Sequence, residues 1–436
     1  MTVTTRCAGL VAILALSALV LPAGVVLGLV AVVLVATVID GLSVREAPPV
    51  RRELAEVLSR GAPTPLAVSA GGRDARRMLL RQPATPALEI RPGAPAADGR
   101  ELRGEVLALR RGRHTLPGVA SASLGPLGLA RRRHPSTAPA EVQVYPDLLT
   151  ARRLVLRLRQ GRAAPDGRLR RGPLGLGTDF ESIREYSPDD DIRQVNWRAS
   201  ARLGRPMSNQ YRVEQDRDVL LLVDTGRLMA APIGGGTLLD CALDAAVAVA
   251  LAVDELGDRC GAIAFDGSIR RALDPRRLGG RRTIEALFDL EARLEDSDYE
   301  RAFLHVGHSR RALILIFTDL VEETAARPLA LAAPMLTRRH AVSVASAIDP
   351  DLQRLARGLA REGGEGPDIP PTPAAAGTRD TPTLYRALAA RSVLEARAGA
   401  VAQIAGAGAE VVEAPPGLLP ERCVQAYLRA KARARV

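Results

Sequence analysis

The chain has 436 residues, a length that suggests two or three domains, and its hydrophobic fraction of 47% is ample for buried cores. The formal net charge is +11, yet among the 60 basic residues Lys431 is the one lysine, and this arginine skew, with abundant Ala, Gly and Pro, reads as codon bias. No basic-aromatic motif of an RNA or DNA module is present, so a nucleic-acid partner is not expected; membrane lipid is the better counterpart for the charge.

From Cys7 to Ile39 no residue is charged. As one helix this run would be about 50 Å long, against a hydrocarbon core of roughly 30 Å. Leu21-Pro22-Ala23-Gly24 divides it near the middle, which predicts a transmembrane helical hairpin with halves of about 16 residues, inside a first segment of 1–44. Arg6 on one side and Arg45, Arg51 and Arg52 on the other place both ends in the cytoplasm, at the inner (cytoplasmic) membrane. A signal peptide and a single signal anchor are the competing readings; the apolar run is long for a signal-peptide core.

Between 45 and 150 short apolar runs alternate with Pro, Gly and Arg. Ala67 to Ala70, Ala87 to Arg91, Glu105 to Arg110, His114 to Leu116 and Glu141 to Tyr145 alternate as strands do, with Pro83, Pro86, Pro92, Pro95 and Pro117 as breaks. A small β-sandwich is expected. An Arg-rich linker over 151–173 follows, read as a solvated loop or a segment facing lipid or a partner.

The segment 174–215 carries the most information. Gly175 and Gly177 open a stretch in which Asp179, Glu181, Arg184, Glu185, Asp189, Asp190, Asp191, Arg193, Arg198 and Arg202 are interleaved with Phe180, Ile183, Tyr186, Ile192, Val195 and the only tryptophan, Trp197. Asp179 to Tyr186 reads as helical, interrupted by Ser187-Pro188. Interleaved Asp and Arg around a Trp suit a semi-buried ion-pair lattice or a partner-docking surface. Clustered carboxylates can also shift one another's pKa, but no nucleophile stands beside them.

The spacing of Gly175, Gly177, Asp179, Phe180, Arg184, Tyr186, Pro188, Asp190, Asp191, Arg193, Trp197, Ser200, Ala201 and Arg202 resembles the signature of domain-of-unknown-function family fifty-eight. Asp189 stands where that family usually has Gly. Arg111-Gly112-Arg113-His114 and Gly125-Pro126-Leu127-Gly128-Leu129 are similar to segments that precede the signature in this family.

Strands and helices alternate through 216–436. Asp218 to Val223 is an apolar run ending in Asp224; Leu238 to Leu256 has helical spacing; Cys260 to Phe265 and a returning Ile269 to Leu273 read as strands. Arg281 to Leu290 and Tyr299 to Val306 read as helices, Ala312 to Phe317 as a buried strand stopping at Thr318-Asp319, and His340 to Ala347 as another strand. Thr383 to Ile404 is a helix, Glu410 to Glu413 a last strand and Pro420 to Arg433 a closing helix, with 363–381 a Gly/Pro/Ala-rich mobile insertion. The fold class is therefore α/β, a doubly wound parallel sheet after the hairpin and the sandwich. This half resembles a von Willebrand factor type A (Rossmann-like) domain, as the family resemblance also implies.

The type A resemblance implies a Mg²⁺ site at the carboxyl ends of the strands, with Asp224 and Asp319 as its remaining ligands. Here the first element is Asp224-Thr225-Gly226-Arg227-Leu228, so both serine positions are lost; no threonine matching that of the later loop can be placed, and Ser297 is taken as a stand-in for it. Two aspartates without those hydroxyls make a poor Mg²⁺ cage, so no cofactor is expected, with Mg²⁺ at this degenerate site as the alternative; without a metal, Asp224 caps the strand end or pairs with Arg227. The cysteines Cys7, Cys241, Cys260 and Cys423 have no paired spacing and read as reduced core thiols. His305 and His308 lack an acid at ligand spacing, and Gly234-Gly235-Gly236-Thr237 lacks the Lys of a phosphate loop, leaving Thr237 as a helix N-cap.

These readings lead to a membrane-anchored, non-catalytic interaction protein. The family resemblance implies a MoxR-type AAA+ ATPase as partner in the assembly or remodelling of protein complexes. The alternative is an envelope-associated hydrolase using the signature carboxylates.

Overall fold

The computed structural model describes residues 1–71, 78–91, 101–160, 174–175, 179–187, 195–212, 217–306, 311–320, 323–362 and 381–433. The chain divides into two compact units, Met1–Asp147 and Leu148–Val436.

The first unit begins with β1 (Thr2–Val3), α1 (Thr5–Ser17) and α2 (Ala23–Ser43). The helices are unequal, 13 and 21 residues rather than two halves of about 16, because Pro22 is tolerated at the helix entrance and so becomes the N-cap of α2. Among the described residues α2 alone is long and apolar enough to cross a membrane. Its side chains Leu27, Val32, Val35, Val38, Ile39 and Leu42 are exposed, so no protein core of this unit covers them.

Strands β2 (Val50–Glu53), β3 (Val57–Ser59), β4 (Pro63–Ala70), β5 (Met78–Arg81), β6 (Leu88–Arg91), β7 (Glu101–Ala108), β8 (Gly112–Leu116), β9 (Ala120–Leu124), β10 (Ala130–His134) and β11 (Ala140–Tyr145) follow. They form three sheets in the orders β2-β4-β7-β6, β1-β10-β9-β5 and β3-β11-β8. Leu58, Val68, Leu80, Val106, Leu116 and Val144 share one core drawn from all three. Pro63 and Pro65 sit inside β4 without harm, since β2 reaches only Ala67–Ala70 and leaves that side of the strand without a ladder to interrupt.

Both ends of the helical hairpin are built into this β-structure. β1 pairs with β10, and the Thr4 hydroxyl donates to the carbonyls of Gly128 and Leu129. At the far end of α2 the buried Asp40 carboxylate accepts the backbone N–H groups of Leu127, Leu129 and Ala130 at 2.7, 2.8 and 2.9 Å. A Cβ at Gly125 would stand 2.2 to 2.4 Å from that carboxylate, so only glycine lets the loop close over it.

The second unit opens with α3 (Leu148–Arg159), where the sequence suggested a linker. Its apolar stripe of Ala151, Leu154 and Leu158 is buried and the helix packs on α5 (Leu238–Glu255), with Arg159 paired to Glu255 at 2.6 Å. The signature segment supplies β12 (Leu174–Gly175), β13 (Asp179–Glu185), α4 (Trp197–Leu203) and β14 (Met207–Arg212). Asp179 to Glu185 is thus a strand and not a helix. Its pairing with β14 prevails over a weak local preference.

The main sheet has six strands: β15 (Asp218–Asp224), β18 (Arg259–Phe265), β19 (Ile269–Arg277), β20 (Ala312–Phe317), β21 (Ala341–Ala347) and β22 (Glu410–Ala414), β16 (Pro232–Ile233) and β17 (Gly236–Thr237) forming a small hairpin apart. Their order is β19-β18-β15-β20-β21-β22, parallel throughout except for the edge strand β19. Parallel neighbours need crossovers, and helices provide them: α5 after β15, α6 (Gly279–Leu287) and α7 (Tyr299–Val306) before β20, α8 (Glu323–Thr337) before β21, and α9 (Pro350–Glu362) and α10 (Thr381–Gly406) before β22, with α11 (Leu419–Arg433) closing the chain. Side chains of α7, α8 and α10, among them Phe303, Leu329 and Ile404, pack with Leu222, Ile314 and Val344 of the sheet. The insertion lies outside the described residues except for Thr381, which begins α10. The four cysteines are buried thiols.

Candidate functional site

β15 and β20 are the central neighbours from which the sheet grows in opposite directions, and in an open α/β sheet the crevice outside the carboxyl ends of such strands is where ligands bind. β15 ends in Asp224, and β20 is followed directly by Thr318 and Asp319. All three are buried.

Asp224 is held by four donors. One carboxylate oxygen accepts the Gly226 N–H at 2.8 Å and the Ser297 hydroxyl at 2.5 Å. The other accepts the Tyr299 hydroxyl at 2.9 Å and the Thr318 hydroxyl at 2.7 Å, and those two hydroxyls lie 2.8 Å apart. Burial, and then the charge of Asp224, push the Tyr299 phenol well above its ordinary pKa, so it stays protonated and keeps donating. The Ser297 position indicated by the sequence is thus part of the cluster. Arg227 is not: it pairs with Asp296 at 2.5 Å on the surface.

Asp319 has a different environment. Its Oδ1 accepts the Leu320 N–H at 2.8 Å and faces the Ser346 hydroxyl and Arg397 Nη1, both at 3.5 Å. Burial raises its pKa and the positive charge of Arg397 opposes the rise. Arg397, 6% exposed, comes from α10; its Nε donates to Glu413 at 2.5 Å and its Nη2 to Ser346 and to the Ala347 carbonyl at 2.8 and 2.9 Å. On the β18 side, Asp266 accepts from the backbone and hydroxyl of Ser268 and lies 3.5 Å from Arg270 and 3.9 Å from Arg293.

The same contacts fix the loop 291–298 over the strand ends. Arg293 N–H donates to Thr225, Arg227 N–H to Glu295 and Asp298 N–H to Asp266, at 2.8 to 2.9 Å. Gly226 has no room for a Cβ, which would meet the Ser297 hydroxyl at 2.1 Å. On this hydrogen-bonded loop Leu294 is 89% exposed.

The donor set does not fit the Mg²⁺ that a type A domain would hold. The oxygens of Asp224 are taken by hydrogen bonds and Asp319 already faces a guanidinium; among the described residues no group of three His, Cys, Asp or Glu side chains is arranged for a metal.

The signature residues occupy a separate place. Arg184 and Arg202 are exposed, Tyr186 is half-buried, and Trp197, at the start of α4, is 73% exposed. Asp179 and Phe180 open β13; Asp190, Asp191 and Arg193 lie outside the described residues. Among the described residues Trp197 therefore centres no buried lattice. Polar bonds hold α4 instead: Asn196 caps Ala199 at 2.9 Å and the Ser200 hydroxyl accepts the Met207 N–H at 2.8 Å.

Tyr299, Thr318, Ser346, Arg397, Glu413 and Asp266 were not indicated by the sequence reading. For Arg397 a signal existed: it falls on the stripe of Ala390, Ala400 and Ile404, and a charge on an apolar stripe needs a buried partner.

Fold and site together define a mixed α/β protein with an apolar N-terminal helix and a polar cluster at its strand ends. Residues 182–361 match the family described as "Protein of unknown function DUF58". The chain is 30% identical over 202 residues to an uncharacterized protein of Mycobacterium bovis and to one of Mycobacterium tuberculosis, matches that cover 42% of this chain and 61% of each relative. It thus spans 61% of the length of these curated relatives. A solved structure of the sulfur carrier protein SoxY from Chlorobium limicola f thiosulfatophilum matches 25% of this chain and 97% of its own at 16% identity with a TM-score of 0.14, too low to carry an argument.

Proposed function

We propose that this protein is a membrane-anchored, non-catalytic interaction protein that presents the strand-end surface of its second unit to a partner. The observation that carries the reading is the use made of the strand-end carboxylates: Asp224 and Asp319 are buried in internal bonds, while the loop that Asp224 holds through Ser297 presents Leu294 beside the Arg227–Asp296 pair. A preorganised apolar side chain within a polar rim is the pattern of a binding hot spot. The strand order with its antiparallel edge supports the doubly wound, type A reading of this unit.

The anchor is α2, supported by its length and exposed apolar surface, with the shorter α1 returning beside it so that both hairpin ends attach to one β-structure. With Arg6, Arg45, Arg51 and Arg52 flanking it, both ends belong on the cytoplasmic side of the inner membrane. The family resemblance supports a MoxR-type AAA+ ATPase as the partner, with this protein as its adaptor in assembling or remodelling complexes. Leu294→Asp tests the surface: it should leave thermal stability unchanged and weaken capture of the ATPase tenfold or more, whereas unchanged capture would move the contact elsewhere.

A further inference from the structure

We infer that the Arg397 guanidinium takes the place of a divalent cation at the strand ends, so that this surface is organised without metal. The inference rests on the type A reading only for the expectation of a metal; the geometry stands by itself. A carboxylate offers about four lone-pair sites. Four donors fill those of Asp224. Mg²⁺ demands near-octahedral oxygen coordination at about 2.0–2.1 Å and would have to displace these donors.

The second carboxylate of the crevice already has its cation. Arg397 keeps its charge even when buried, and its planar fork binds several acceptors at fixed angles. Here it lies between Asp319 and Glu413 and also donates to Ser346 and Ala347. One side chain of α10 therefore joins the carboxyl ends of β20, β21 and β22, as an ion bridging several ligands would. Two anions depend on it. Removing it leaves the buried Asp319 and the partly buried Glu413 without their cation and with oxygen ligands nearby, which is the condition under which a small cation enters.

The test uses the full-length protein in nanodiscs, without any partner. Mn²⁺ uptake is followed by electron paramagnetic resonance, Mg²⁺ uptake by calorimetry, and hydrogen exchange is read on peptides covering 312–320 and 341–347. The wild type should take up neither ion saturably at millimolar concentrations, and its exchange should be the same in Mg²⁺ and in chelator. Arg397→Gln should exchange faster at these strand ends and recover protection when Mg²⁺ or Mn²⁺ is added, a recovery that Asp319→Asn in the same chain abolishes. Should Arg397→Gln fail to fold, Arg397→Met, which keeps the apolar stem, replaces it. Saturable uptake by the wild type that Asp319→Asn removes would overturn the inference. A variant as silent as the wild type would equally sink it, leaving Arg397 a purely structural clamp.

Discussion

Replacing Asp224 with Ala removes the shared acceptor of four donors. Tyr299 and Thr318 keep one bond to each other at 2.8 Å, which leaves one buried hydroxyl donor and the buried Gly226 N–H unpaired, while the half-buried Ser297 hydroxyl can turn to water. A buried donor left unsatisfied costs about 1–3 kcal/mol, so two of them with a small void give an expected destabilisation of about 3–5 kcal/mol. Asp224→Asn should cost less, about 1–2 kcal/mol, because its carbonyl can still serve Gly226 and Ser297 while its amide donates to hydroxyls able to turn and accept. A chain of two units has no single global transition, so the assay should be local: hydrogen exchange by mass spectrometry on 218–226 and 291–299. At 1.4 kcal/mol per tenfold, Asp224→Ala should accelerate exchange there by about two to more than three orders of magnitude, and Asp224→Asn by about tenfold. If both variants exchange like the wild type, Asp224 does not hold the loop, and the site is open to a ligand after all.

Three further outcomes are expected. Gly125→Ala drives a methyl into the Asp40 carboxylate and should cost about 1–3 kcal/mol, loosening α2 from the β-structure; faster proteolysis near Ala130 would register it, and unaltered cleavage would disprove the clamp. Stability should fall on acidification through the ordinary histidine range. His340 accepts the Ala312 N–H at 3.1 Å, and burial, aided by Arg339, lowers its pKa, so the unfolded chain binds protons that the folded chain does not; the loss runs from about pH 6.5 down to the depressed value, and His340→Gln should flatten it in hydrogen exchange read over 312–317, while His134, lowered by burial in the first unit, keeps its own share there. Cysteines introduced as Val3→Cys and Arg60→Cys should both be protected from a membrane-impermeant reagent in cells, and labelling at Arg60→Cys alone would put the second end of the hairpin outside.

The features most legible in the sequence were those written as unbroken runs. The uncharged stretch from Cys7 to Ile39 gives two helices, and the apolar runs of β15 and β20 name their own ends, because each run stops at a carboxylate that finds its buried partners at the strand terminus. Elements with mixed signals were harder. β13 looked helical until β14, more than twenty residues on, supplied its partner, and α8 was hidden by Pro328 and Pro334 within it. The arginine-rich α3 passes for a linker unless the spacing of Ala151, Leu154 and Leu158 is weighed above its charge. At the site, Asp224 and Asp319 were visible and Ser297 was indicated, but what surrounds them is not local. Tyr299 arrives 75 residues after Asp224, and Arg397 arrives 78 residues after Asp319. Such pairings exist only once the sheet has brought the strand ends together.

The most direct test of the adaptor role is capture of a MoxR-type AAA+ ATPase from the same cell by the full-length protein in nanodiscs, with and without ATP, comparing wild type, Leu294→Asp and Trp197→Ala. Nucleotide-dependent capture that Leu294→Asp removes and Trp197→Ala leaves intact is the expected result. Absence of capture by the folded wild type in either nucleotide state would contradict the adaptor reading; capture lost only in Trp197→Ala would keep the partner but transfer the contact to the signature helix.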